Sequence, residues 1–174
     1  MAYKYVFIFI FSIETLERIF FTFKRKKVKG EVRYRWTTYS LVSSYVFCIL
    51  VALFEFVGKT SINYRVSIAG MLVTGAGMIL RRTAIRALGD FWSIHIKIFD
   101  NQSIIKSGPY RFFRHPYYVA VMLELIGVSL FFNAPWAFLI IFLIHFPLLV
   151  VRILLEERAL TAALDGRRDC HESA

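Results

Sequence analysis

Apolar residues fall in five long blocks, at 3–23, 36–57, 66–80, 117–132 and 135–155. Within them there is neither the alternation of a half-buried strand nor the single stripe of a soluble helix, so they read as helices apolar on all sides. A bilayer span needs about 20 such residues, and the pattern predicts an all-α membrane protein of about five transmembrane helices. The third and fourth blocks are short and need flanking residues to complete their ends. Only Asn133 and Ala134 separate the last two blocks, which predicts an antiparallel C-terminal helical hairpin with Pro135 at a first helical position. Pro147 should kink the final helix. Gly70, Thr74, Gly75 and Gly77 place small residues at helical spacing, a pattern for close helix packing.

Polar segments divide the chain without breaking it into separate domains. Residues 1–174 read as one integral-membrane domain: N-terminal helices over 1–80, a loop over 81–116 and the hairpin over 117–160. Lys24 to Arg35 are crowded with cations, only Lys59 and Arg65 follow the second block, and Arg81 to Arg114 are basic again. That alternation predicts an N-terminus outside and a C-terminus in the cytoplasm, in a bacterial inner membrane or the endoplasmic reticulum. The loop over 81–116 is longer than a simple connection needs, which marks it as functional.

Composition agrees with the blocks. The chain is 57% hydrophobic and 17% aromatic, with a mean hydropathy of +0.56. Its net charge of +10 would point to nucleic acid in a soluble protein; between apolar blocks it is the charge bias of membrane loops, and no nucleic-acid partner is expected. Cys48 and Cys170 have no metal-ligand spacing, so neither a disulfide framework nor a metal site is expected. Glu14, Glu17 and Arg18 interrupt the first block, which reads as a retained helix and not a signal peptide.

Candidate chemistry concentrates in two places. Residues 107–118, SGPYRFFRHPYY, form a turn followed by a proline-started helix. The early amides of that helix, with Arg111 and Arg114, suit an anion. The same Tyr and Arg residues also suit an interfacial anchor, and spacing leaves both readings open. Arg152 and Glu156 lie four apart on one helical face, with Glu157 beside them. The hairpin returns them to the membrane side of His115. Two clusters of opposite charge there would grip a zwitterion. Glu124 is an intramembrane carboxylate, functional by default or paired with His145 across the hairpin.

The order G-P-Y, R-H-P-Y-Y over Gly108–Tyr118 and E-E-R-A-L over Glu156–Leu160, with a hairpin between, resembles the isoprenylcysteine carboxyl methyltransferase family. These are small integral-membrane enzymes also similar to phospholipid N-methyltransferases. The resemblance covers roughly residues 91–160. It implies S-adenosylmethionine as methyl donor in a cytoplasmic pocket, and a lipophilic acceptor entering from the bilayer lipids. It implies that Gln102, Ser103, Ile104 and Ile105 line that pocket, continued by Tyr110, His115, Pro116, Tyr117 and Tyr118. Glu156 would hold the amino group of the cofactor with Glu157 adjacent, and Arg152 would face the acceptor, so that Arg152, Glu156 and His115 carry the chemistry. Ala120 departs from the family's usual glycine, and the residues after Leu160 depart from its aromatic continuation. The acceptor implied is the carboxylate of a prenylcysteine-like lipid or the hydroxyl of a phenolic or pyrone lipid. Two other readings remain: a membrane reductase of the sterol-reductase type, whose C-terminal bundle is similar, and a non-catalytic scaffold whose basic loops bind lipid headgroups.

Overall fold

The computed structural model describes residues 31–89, 92, 93, 96–98 and 107–172, with helical conformation at positions 5, 9, 12, 15 and 16. The first apolar block, with Glu14, Glu17 and Arg18, otherwise lies outside the described residues. Among them the order is β1 (Glu31–Arg33), α1 (Arg35–Gly58), α2 (Tyr64–Leu88), β2 (Ile96–Ile98), a 3₁₀ turn (Gly108–Arg111), α3 (Pro116–Phe131), α4 (Pro135–Ile140) and α5 (Phe146–Glu172). A π-helical turn, Ile141–His145, joins α4 to α5 into one rod.

The protein is helical, as its apolar blocks predict, with one addition. β1 and β2 pair antiparallel, Val32 opposite Lys97. This small ribbon ties the chain just before α1 to the chain after α2 at one end of the bundle.

Three helical stretches are long and apolar enough to cross a membrane: Arg35–Gly58, Tyr64–Leu88 and Pro135–Ala162. The expectation of about five spans is therefore only partly met among the described residues. α3 has 16 residues, about 24 Å at 1.5 Å per residue, short of a ~30 Å hydrocarbon core. It is instead the buried centre of the bundle, with Ala120, Leu125 and Val128 shielded.

α2 corrects a boundary. The third apolar block ends at Leu80, but the helix continues to Leu88 and takes Arg81, Arg82 and Arg86 out of the expected loop. Its hydropathy falls while its helix formers persist (Arg, Ala, Leu). Asn63 caps its start, accepting from the Arg65 and Val66 N–H groups. Gly89 ends it at φ 57 and ψ −128, a positive-φ conformation that glycine adopts without a Cβ clash.

α2 packs most extensively on α3, through small residues. A Cβ on Gly70 would collide with the backbone of Gly127, Leu130 and Phe131, and one on Gly127 with Thr74. Gly77 lies 3.1 Å, at its missing Cβ, from the Ala120 carbonyl. The close-packing reading therefore holds for Gly70, Thr74 and Gly77, whereas Gly75 faces open space.

Glu124 and His145 each meet a partner on another helix. Arg81 Nε donates to Glu124 Oε1 at 2.7 Å, both side chains buried. His145 Nδ1 meets Ser44 Oγ at 2.9 Å. Arg81 reaches Glu124 only because α2 continues past Leu80.

The hairpin turns at Asn133 as predicted. Asn133 adopts φ 53, accepts through Oδ1 from Asn63 N–H and donates to Ser67 Oγ. Its carbonyl accepts from Lys59. Glu55 reaches the N–H of Ala137 in the first turn of α4. The end of the bundle opposite the ribbon is thus closed by polar contacts. Pro147 lacks an N–H and its ring crowds the carbonyl four residues back; the chain meets this with the π turn that immediately precedes α5.

Candidate active site

At the ribbon end, four elements converge. Pro116 starts α3 at its first helical position with His115 as N-cap, as the sequence implies. The early amides are less free than that reading allowed: the N–H groups of Tyr118 and Val119 donate to the His115 carbonyl at 3.1 and 3.2 Å. An anion site built on those amides alone is accordingly weakened.

Side chains carry the site instead. Tyr118 Oη donates to Glu156 Oε2 at 2.5 Å and accepts from Arg152 Nε at 2.9 Å. Arg152 Nη1 donates to both Thr37 Oγ1 and Thr38 Oγ1, each at 2.8 Å. A chain of charge-assisted hydrogen bonds therefore runs from α1 through α5 to α3 and back to α5. Arg152 is 4% exposed, so its charge is held by these partners and not by water. His115 Nε2 meets Glu157 Oε1 at 3.2 Å. Adjacent acids thus have different partners, Glu156 the tyrosine and Glu157 the histidine.

Rings surround these groups. His115 and Tyr118 lie 5.8 Å apart at their centroids, Tyr117 and Tyr118 5.7 Å, and Trp92 and Tyr117 6.1 Å. Tyr110, in the 3₁₀ turn, completes the group: burial pushes its phenol up, and the Glu156 carboxylate and Tyr117 add to the shift. Tyr110 therefore stays a neutral hydroxyl beside Glu156.

The arrangement suits a cation. Tyr118 occupies one oxygen of Glu156, and among the described residues Oε1 carries no partner. A carboxylate with an open oxygen among aromatic faces binds an ammonium or sulfonium group well. Arg152 and the hydroxyls beside it suit an anionic or polar oxygen.

Of the residues expected from the sequence, Tyr110, His115, Pro116, Tyr117, Tyr118, Arg152, Glu156 and Glu157 come together. Gln102, Ser103, Ile104 and Ile105 lie outside the described residues. Arg111 and Arg114 point outward with Phe112 and Phe113. The sequence reading did not single out Thr37, Thr38 or Trp92. A Thr-Thr pair in the first turn of an apolar helix is an ordinary capping pattern, and only the fold brings it to Arg152.

The model of the isoprenylcysteine carboxyl methyltransferase (ICMT) family matches residues 68–162. Two relatives are themselves described as uncharacterized proteins. YpbQ of Bacillus subtilis (strain 168) is 29% identical over 114 residues, covering 66% of this chain and 67% of its own. A protein of Haemophilus influenzae (strain ATCC 51907 / DSM 11121 / KW20 / Rd) is 29% identical over 136 residues, covering 76% and 78%. The family match takes in most of α2, all of α3 and α4, and α5 through Ala162, and so every clustered residue except Thr37 and Thr38. With more than half its length matched and its apolar helices long enough to cross a membrane, this chain belongs to the isoprenylcysteine carboxyl methyltransferase family of integral membrane proteins.

Proposed function

We propose that the protein is an S-adenosylmethionine-dependent methyltransferase acting on a lipophilic acceptor drawn from the bilayer. One observation carries this reading beyond family membership: the Glu156 carboxylate, with one oxygen held by Tyr118 and the other without a partner among the described residues, lies among the rings of Tyr110, His115, Tyr117 and Tyr118. S-adenosylmethionine has an ammonium and a sulfonium, and the residues present fit both. Bound there, it would supply an electrophilic methyl group.

The chain's own residues do the rest. Glu156 takes the ammonium through its open oxygen, and Tyr118 keeps the carboxylate from turning. The rings face the sulfonium and exclude water. Arg152 draws an acceptor oxygen toward the cofactor. Such alignment is worth roughly 7–11 kcal/mol in well-oriented systems. A carboxylate acceptor, as in a prenylcysteine-like lipid, needs no base. A phenolic or pyrone hydroxyl does, and the contact between His115 Nε2 and Glu157 Oε1 offers a place to hold its proton. The ribbon end, with its cations, faces the cytoplasm on this reading.

Titrating S-adenosylmethionine and NADPH into protein purified in detergent tests the cofactor. Saturable heat is expected with S-adenosylmethionine alone. Heat with NADPH alone would support a reductase, and heat with neither a lipid-binding scaffold.

A further inference from the structure

Thr37 and Thr38 lie outside the segment that the family model matches, yet both touch the guanidinium at the centre of the site. We infer that this hydroxyl pair on α1 holds Arg152 in position, so that a helix outside the family-matched half completes the reactive geometry. The inference rests on the proposed methyltransferase function for its consequence, but not for its geometry.

Hydrogen-bond directions support it. Thr37 Oγ1 donates its proton to the Tyr34 carbonyl at 2.8 Å, which leaves its lone pairs for Arg152. The Thr37 N–H donates to the same carbonyl at 3.1 Å. Tyr34 presents that carbonyl from a left-handed conformation, φ 52, which a non-glycine residue adopts only when its surroundings require it. Thr38 Oγ1 accepts from the same Nη1 at 2.8 Å. Both threonines are buried, at 3% and 5% exposure. β-Branching limits their χ1 freedom, so the two oxygens stay where the guanidinium needs them. Arg152 Nε, fixed in this way, orients the Tyr118 hydroxyl, which in turn holds Glu156.

Valine keeps the shape of threonine and removes the hydroxyl. The valine pair Thr37→Val with Thr38→Val should free the guanidinium to turn. Serine at both positions keeps the acceptors. ¹⁵N-arginine spectra of the protein in detergent micelles read this directly, because a buried Nε–H exchanges slowly with water. Arg81, paired with Glu124, is the internal reference. The valine pair should shift the Arg152 signal and leave Arg81 in place, and the serine pair should restore the wild-type position. Each single valine variant, keeping one acceptor, gives an intermediate shift should the pair fail to fold. With S-adenosylmethionine at saturation and either a farnesylated N-acetylcysteine or a long-chain alkylresorcinol as acceptor, the valine pair should lower the rate by about 100-fold, the scale of a misplaced reacting group. Cofactor affinity should fall much less than the rate, because the threonines act on Glu156 only at second hand, through Arg152 and Tyr118. An unmoved Arg152 signal overturns the inference, as does a serine pair that behaves like the valine pair. If the wild-type protein methylates neither acceptor, the functional reading is what fails, and the spectra alone decide the clamp.

Discussion

Glu156 and Glu157 are neighbours in the chain, but a helix turns by about 100° per residue and sends them to different partners. Glu156 meets the Tyr118 hydroxyl and Glu157 the His115 ring. The first is therefore the better placed to bind an ammonium. Glu156→Gln should weaken S-adenosylmethionine binding by about 2–5 kcal/mol, the range for removing one partner of a buried charge pair. Glu157→Gln should cost clearly less. Calorimetric titration of both variants checks this, and equal, small losses would contradict it. The RFFRHPYY stretch shows what was legible at this scale. Its residue types and spacing fitted an anchor and a binding clasp equally well. The fold divides the stretch between the two directions: Phe112 is 78% exposed, whereas His115 and Tyr118 turn inward to Glu157 and Glu156. No linear pattern distinguishes these directions, because they depend on the 3₁₀ turn and the start of α3.

At the level of elements, hydropathy located α1, α3 and the hairpin well, because each is bounded by residues that stop apolar burial. α2 was underestimated because Arg81 breaks the apolar run without breaking the helix. That extension supplies the Arg81–Glu124 pair, whereas the sequence left Glu124 open between a functional carboxylate and a partner of His145. Proline chemistry announced the disturbance at Pro147, but not that a π turn would absorb it. The ribbon was missed because two three-residue strands carry too little pattern to recognise. The small residues of α2 were legible as a packing surface, and the contacts make them testable one at a time. Gly127→Val places a side chain against Thr74 and the Gly70 carbonyl, and overpacking of this kind costs about 1–3 kcal/mol or more. Gly75→Ala meets nothing within 4 Å and should be neutral or stabilising by up to about 1 kcal/mol, from helix propensity. Thermal unfolding in detergent should show a lowered midpoint for the first variant only. A lowered midpoint for Gly75→Ala as well would contradict the packing assigned to α2.

At the scale of the whole molecule, the two ends of the bundle are built differently. Asn133 closes one end by contacts to Asn63, the cap of α2, and to Ser67 in its first turn. The other gathers Arg152, Glu156, Glu157 and His115 from α3 and α5 and the two threonines from α1. β1 and β2 pair at this second end, and on the orientation proposed from the charge bias that end would face the cytoplasm. With cysteine introduced at Gly30 or at Ser61, a membrane-impermeant reagent outside intact cells should label position 61 and spare position 30. Labelling of position 30 with protection of position 61 would reverse the orientation. The most direct test of the central claim follows a labelled methyl group. Purified protein in lipid nanodiscs is given S-adenosylmethionine labelled on its methyl carbon, together with the farnesylated cysteine or the alkylresorcinol, and the organic extract is counted. Label should enter the acceptor with wild-type protein and be lost with His115→Ala, while that variant still inserts and unfolds like wild type. Wild-type turnover by a well-folded His115→Ala protein would contradict the site, and no transfer by wild type to either acceptor would contradict the function.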